Sequence, residues 1–551
     1  MLYLYRQTKI PPRSMRKIFT RTHPAKNVIL LALVFYSFLC FSQIKERRFE
    51  KRVYFNGVTH YPQTITNTKD SGLAMLGNVE TASFEYGGLT RFDKYGNLLW
   101  SNNYLIQGDS ITYIENVINT RDNGFILCGS FTRSWLTETN YTRPVLIKID
   151  SAGNKLWVKA YTTLNGYIYK ALELSDSSIA LILTYSSLCV IQKLDKNGNV
   201  IWSKETDLVP NDLKEKSNKH IVVYGDNLMI KEYDQNGNDV WEKKYSNPSH
   251  FFNGWVIDIN KFDEMVVICD LMDAGATYME GFYILKANSS GNIFFSKAYV
   301  NYSWTDEQTY AGGFTKDCGI VVNGRIIYAG AHYYQSIFKT DVLGNIQWEK
   351  AYPDSLPANS LYVVNTPDYG YASLAQVIPG NIKYTKIVKT DVNGDTPCND
   401  STIGMIEAGV PLTIDSVLHL STPVSPANRD TNTVISANSI TVIQLCSDSV
   451  SAGPFNACGP SGIGEITSLD EQINVYPNPS NGQFTFDFNT PVTGSMDVYN
   501  MLGEKVYSET LNIKHSTFNI DLSNNANGIY LYRVITKSGE LIGEGKLIIE
   551  K

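Results

Sequence analysis

Apolar and polar residues alternate with a period of two over most of the chain, the spacing that lines each face of a β-strand with one kind of side chain. The pattern is clearest from Lys148 to Tyr161, KIDSAGNKLWVKAY, where two alternating runs flank the polar stretch Asp150-Ser-Ala-Gly153-Asn154. Related stretches begin at Asp93, Asp195, Asp234, Asn288, Asp341 and Asp391, and the aligned glycines fall at 96, 153, 198, 237, 291, 344 and 394. Lys precedes the turn at 148, 193, 286, 339 and 389; Trp follows it at 100, 157, 202, 241 and 348, with Phe295 in the fifth copy. Each copy predicts a hairpin. Asp or Asn starts the turn by bonding its own backbone, and Gly takes the left-handed conformation that costs other residues about 1–2 kcal/mol. A further apolar run precedes each hairpin, as in Asn123 to Ser130, Glu264 to Asp270 and Gly324 to Gly330, and the spacing leaves room for a fourth strand.

Four strands repeated in this way predict blades, because one such sheet cannot bury both faces without neighbours. The expected fold is all-β: a seven-bladed β-propeller over residues 43–398, then a Ser/Thr/Asn/Gly-rich linker over 399–472 with possible short strands, then a small immunoglobulin-like β-sandwich over 473–551. The Trp row is expected between blades, where burial of one such ring is worth at most about 4–6 kcal/mol. In the seventh copy Cys398 stands at the Trp position and no outer strand follows. FEKRVYF, Phe49 to Phe55, repeats the aromatic-x-Lys pattern of WVKAY and is expected to complete that blade, removing an open edge. The repeats resemble quinoprotein-type propeller repeats over roughly residues 60–398, a resemblance that implies a fold and no chemistry. The adjacent cysteine pair of quinoprotein dehydrogenases is absent, and no cofactor is expected.

The N-terminus breaks the alternation. Arg16, Lys17, Arg21 and Lys26 precede an apolar run from Val28 to Phe41, and cleavage is expected between Ser42 and Gln43, so residues 1–42 read as a signal peptide. That run would span about 21 Å as a helix, short of the roughly 30 Å hydrocarbon core, so no transmembrane anchor is expected after processing. Its removal takes seven basic residues and no acid, leaving 41 Lys and Arg against 54 Asp and Glu. A mature charge near −13 argues against a nucleic-acid partner. Cys128, Cys189, Cys269 and Cys318 lie in or beside apolar runs and read as buried thiols; Cys398 and Cys446 lie in loop-like sequence and are expected to pair in an oxidising compartment.

From Ile473 the text becomes INVYPNPSNGQFTFDFN, MDVYNMLGEKVY, STFNIDLS, GIYLYRVIT and GKLIIEK. These residues resemble the type A C-terminal sorting domain of the type IX secretion system: Tyr476-Pro477-Asn478-Pro479 opens it, Gly503 lies in the central segment, Gly528 and Tyr530 in the next strand, and Lys546 to Lys551 in the basic last one. The resemblance implies handling by the type IX translocon and sortase, passage through the periplasm, and a product secreted or held at the cell surface.

Candidate chemistry is sparse. His60, His220, His250, His332, His419 and His515 stand apart, no Cys-x-x-Cys occurs, and the sequence nominates no metal ligand and no catalytic residue. Aromatic residues gather between the predicted strands: Trp135, Trp255, Trp304, Tyr302, Tyr333 and Tyr334 form the expected ligand face. Rings of this kind stack on sugars or anchor a protein partner. The expected function is therefore a surface or secreted propeller that binds a glycan or surface protein. The alternative is a secreted hydrolase or lyase acting on polysaccharide or peptide.

Overall fold

The computed structural model describes residues 45–109, 111–132, 142–273, 281–300, 308–328, 332–354, 356–377, 384–398, 400–402, 405–409, 411–415, 421–451, 473–488, 492–500, 505–513, 517–536 and 541–551. Every regular element among them is a β-strand. The chain divides between residues 458 and 459 into two compact units.

The larger unit repeats one antiparallel sheet. The first consists of Thr59–Asn67, Leu73–Glu80, Glu85–Phe92 and Leu98–Ile106; the second of Ile111–Asn119, Phe125–Thr132, Thr142–Ile149 and Lys155–Ala160. A parallel bridge between Glu85 and Ile111 joins these two. The third to seventh sheets start at Gly166–Glu173, Pro210–Glu215, His250–Ile259, Gln308–Phe314 and Ala358–Asn365. Each first strand lies against the first strand of the next sheet, and Ala358–Asn365 lies against Thr59–Asn67. The last sheet draws only three of its four strands from its own stretch of chain, and Lys45–Phe55 takes the remaining place, with Phe49 opposite Lys389 and Val53 opposite Thr385.

Turn chemistry recurs between the third and fourth strands. Asp93 Oδ1 accepts from the Tyr95 and Asn97 amides at 2.8 and 2.9 Å, and Gly96 has φ +73°. The same arrangement is built on Asp150, Asp195, Asp234, Asn288, Asp341 and Asp391. Glycine is required there twice over, because the preceding sheet's aromatic ring occupies the space of a side chain. A Cβ would lie 2.8 Å from Trp202 at Gly237, 2.5 Å from Trp348 at Gly394, and 2.7 Å from Phe49 at Gly96. The Trp row thus packs onto the neighbouring turn, half-buried at the rim of the core instead of fully inside it.

A second repeated turn, between the first and second strands, went unread in the sequence. It places Asp70, Asp122, Asp176, Asp317 and Asp368 opposite the basic residue of the third strand. Lys148 Nζ lies 2.7 Å from Asp122, and Lys339 and Lys389 each lie 3.0 Å from Asp317 and Asp368. The fourth sheet exchanges the charges. Glu232 stands on the strand, and Lys216 Nζ and His220 Nδ1 of the turn meet it at 2.8 and 2.6 Å.

The segment expected to be a linker with possible short strands carries seven strands among its described residues up to 451. Ser401–Thr402, Ile406–Gly409, Thr413–Asp415, Thr422–Pro423, Arg429–Asp430, Thr433–Ala437 and Ile440–Ser451 each add a fifth strand, to the sixth, fifth, fourth, third, second, first and seventh sheets in that order. The polar composition that suggests a flexible linker is instead that of an edge strand with one face in solvent. Cys398 and Cys446 are disulfide-bonded, their Cα atoms 5.8 Å apart, which closes this segment covalently after it has visited every sheet. Cys318 is also disulfide-bonded, contrary to its reading as a thiol, whereas Cys128, Cys189 and Cys269 are free.

In the smaller unit, Ile473–Tyr476, Gln483–Phe488 and Thr517–Asp521 form one sheet, and Lys505–Ile513, Val492–Asn500, Gly528–Thr536 and Leu541–Ile549 the other. Phe484, Phe486, Phe488, Val498, Tyr532 and Val534 fill the core they share.

Candidate functional site

A repeated fold needs repeated residues, so side chains that break the repeat are the ones the fold does not explain. Each first strand carries a β-bulge at the same place, marked by a register shift around Gln63, Glu115, Tyr169, Asn211, Trp255, Tyr310 and Leu361. Bulges re-aim side chains, and here they do so where the first strands face one another. One residue past the bulge stand Thr64, Asn116, Lys170, Asp212, Val256, Ala311 and Tyr362; three past it stand Lys214 and Asp258 in the fourth and fifth sheets. Charge is therefore concentrated on three consecutive sheets, with Lys170 beside Asp212 and Lys214 beside Asp258.

The geometry of this cluster is loose. Lys170 Nζ lies 3.8 Å from Asp212 Oδ1, and Lys214 Nζ 3.9 Å from Asp212 Oδ2. Asp212 is already engaged: its Oδ1 accepts from the Leu213 amide at 2.9 Å and its Oδ2 from the Ile257 amide at 3.3 Å. Asp258 Oδ2 accepts from the Phe314 amide at 2.9 Å, tying the fifth sheet to the sixth. Burial pulls the Lys170 and Lys214 ammonium groups down, but the Asp212 carboxylate together with further neighbours, Tyr362 and Tyr169 at Lys170 and Asp258 and Tyr362 at Lys214, outweighs it, and both sit above the ordinary lysine range. Burial raises the Asp258 carboxyl although Lys214 opposes it. The Tyr362 phenol acts on both lysines from the seventh sheet, and its hydroxyl has no hydrogen-bond partner among the described residues.

Of the residues expected on the ligand face, Trp135, Trp304 and Tyr302 lie outside the described residues, as does the Tyr333 side chain. Trp255 is not in a connection: it is the bulge residue of His250–Ile259, and its indole N–H donates to Asp270 at 2.8 Å. Tyr334 is half-buried in His332–Thr340 against Ala351 and Met405. Ser42 and Gln43, the expected cleavage site, lie outside the described residues. The inner cluster was missed because alignment on the outer turn does not register the first strands; the signal was four charged residues at the first and third positions past the bulge, positions that are neutral in the other first strands.

Glu50 lies near Cys398 and Cys446 with metal-like spacing, but the two sulfurs are bonded to each other and Glu50 pairs with Lys386 at 3.1 Å. A cleft of about 480 Å³ between the first two sheets is lined by Asp70, Arg91, Trp100 and Phe125, residues already used by the turns.

At the C-terminus the opening motif holds the last strand. Asn478 Nδ2 donates to Lys546 O at 2.6 Å and Asn478 Oδ1 accepts from the Ile548 amide at 2.8 Å. Lys551 Nζ donates to Ser523 O and Asn525 O, and Tyr530 OH to Ala526 O. Tyr476 is half-exposed with Pro477 and Pro479 beside it, Gly528 opens its strand, and Gly503 lies outside the described residues.

Residues 474–550 match the family described as secretion system C-terminal sorting domain. No curated protein matches the chain. Among solved structures, a catalytically inactive virginiamycin B lyase from Staphylococcus aureus with quinupristin is similar at 12% identity, covering 61% of this chain and 99% of that one, with a TM-score of 0.36. A protein of unknown function from Dyadobacter fermentans is similar at 8% identity over 62% of this chain and 98% of its own, with a TM-score of 0.39. The extracellular domain of the one-component system BT4673 from B. thetaiotaomicron covers 88% of this chain and 91% of its own at 9% identity, with a TM-score of 0.15. At these scores the likenesses carry no argument. The C-terminal segment does: residues 474–550 are a type IX sorting domain, and the chain is exported by that system to the cell surface or beyond it.

Proposed function

We propose that the exported chain is a seven-bladed β-propeller that binds a ligand outside the cell and does not turn it over. The antiparallel four-strand repeats, and the contact of each first strand with the next, support reading the sheets as blades of a ring. Lys45–Phe55 is the strand that closes it. The tail, with two sheets around one core, is the immunoglobulin-like sandwich that the translocon and sortase handle.

The observation that carries the binding reading is the charged cluster of Lys170, Asp212, Lys214 and Asp258 on first strands that are otherwise neutral at these positions. In a ring of blades these strands line the central channel, the usual place for a concave site with a few polar groups. The test incubates the purified mature chain with arrayed glycans and with outer-membrane surface proteins. Retention without change in the retained molecule is expected; a hydrolysed or eliminated product would favour the hydrolase or lyase reading.

A further inference from the structure

We infer that Lys170 and Lys214 bind the carboxylate of an acidic sugar, with the Tyr362 hydroxyl completing the site from across the first strands. The inference rests on the ring reading above and names the ligand class of its channel.

The fold itself supplies the comparison. Where a lysine serves only to neutralise an acid, it closes to hydrogen-bond distance: Lys148 to Asp122 at 2.7 Å, Lys216 to Glu232 at 2.8 Å, Lys339 to Asp317 at 3.0 Å. Lys170 and Lys214 stop at 3.8 and 3.9 Å from a carboxylate whose two oxygens already accept backbone amides. Neither ammonium has a hydrogen-bond acceptor among the described residues. Two donors of like charge stand around one acid whose oxygens each already accept an amide, and they keep unused hydrogen-bonding capacity for a second anion.

Charge decides which anion. Asp212 and Asp258 stand within the same cluster, so a dianion such as phosphate would meet two acids as well as two lysines. A single negative charge suits the balance better. Tyr169, the bulge residue next to Lys170, and Tyr362 bring phenol rings to the cluster, and a pyranose offers both a carboxylate and an apolar ring face to such a surface.

The test titrates the full mature chain with glucuronate, glucose and inorganic phosphate by calorimetry. Glucuronate is expected to bind, glucose not to bind, and phosphate to bind at least tenfold more weakly. Lys170→Met and Lys214→Met should each weaken glucuronate at least tenfold, while Lys196→Met, at an exposed turn, should not. No glucuronate binding, equal phosphate binding, or unaltered affinity in both variants would overturn the inference. Should either variant fail to fold, acetylation footprinting of the unaltered chain replaces it: glucuronate must protect Lys170 and Lys214, and absence of protection counts against the site. If glucuronate fails while the chain still retains an arrayed glycan or surface protein, this inference falls and the binding reading stands; if nothing at all is retained, both fall.

Discussion

The Lys51 ammonium donates to the Gly96 carbonyl oxygen at 2.8 Å, across the junction between the last sheet and the first. Its counterparts are Lys243, which reaches Ser290 O at 2.6 Å and Asn292 Oδ1 at 2.9 Å, and Lys297, which reaches Asn345 Oδ1 at 2.9 Å. A strand from the start of the chain therefore makes the contacts that fourth strands make elsewhere. Phe49 does the same over Gly96 as Trp202 does over Gly237. Phe49→Ala should cost about 3–5 kcal/mol, as removal of a buried ring does, measured by urea unfolding of the mature chain.

Two glycines with similar φ separate strain from crowding. Gly57 has φ +76° and open space beyond it; Gly237 has φ +79° and Trp202 in the place of a Cβ. Gly57→Ala is expected to lose about 1 kcal/mol from the left-handed conformation alone. Gly237→Ala should lose clearly more, because the indole must also move. Equal losses would show that the ring does not rest on the turn.

The exchanged charges in the fourth sheet permit a double-mutant cycle. Glu232→Lys leaves the buried Lys216 facing a like charge and should destabilise the chain by about 3–5 kcal/mol. Adding Lys216→Asp gives the new lysine an acid in the turn, which the other sheets carry two residues further on, and should recover part of the loss.

Acid should open the junction of the first and last sheets. His60 is buried, stacks on Phe55 with ring centroids 3.7 Å apart, and contacts Thr385 Oγ1 at 3.1 Å. Burial lowers its pKa from 6.5 to about 3, so the folded state holds it neutral while the unfolded chain protonates it. This contribution to stability is complete above pH 6.5 and is lost as pH falls toward 3, at up to about 1.4 kcal/mol per pH unit. Denaturant unfolding between pH 7 and 4 should show a shallower decline for His60→Leu than for the unaltered chain.

Closure of the 398–446 segment by its disulfide spans 48 residues. A loop of that length is worth about 4 kcal/mol in the chain-entropy account. Cys446→Ser, compared without reductant, should lose a stability of that order, and adding Cys398→Ser to it should change little.

Much of this was legible in the residues, for local reasons. Asp93 through Asn97 and its repeats specify a turn by themselves, since both the acid and the glycine act within five residues. YPNP and the basic last strand identify the sorting domain in the same local way. Residues 401–437 were legible only as possible short strands, because two to five residues at a time become a strand only against an edge supplied by distant chain; the twelve residues of Ile440–Ser451 went unread although ITVIQL alternates. Trp255 reads as a loop aromatic because a bulge interrupts its strand's alternation. Lys170 and Lys214 gain meaning only when first strands are aligned on their bulges, a feature set by pairing and invisible in any one strand.

Hydrogen exchange of the mature chain tests the closed ring most directly, read at residues 49–53 and 385–389, which pair across the seam. A closed ring predicts that these amides exchange as slowly as those of Ile221–Gly225 in the fourth sheet. Rapid exchange at 49–53, with the fourth sheet still protected, would contradict it.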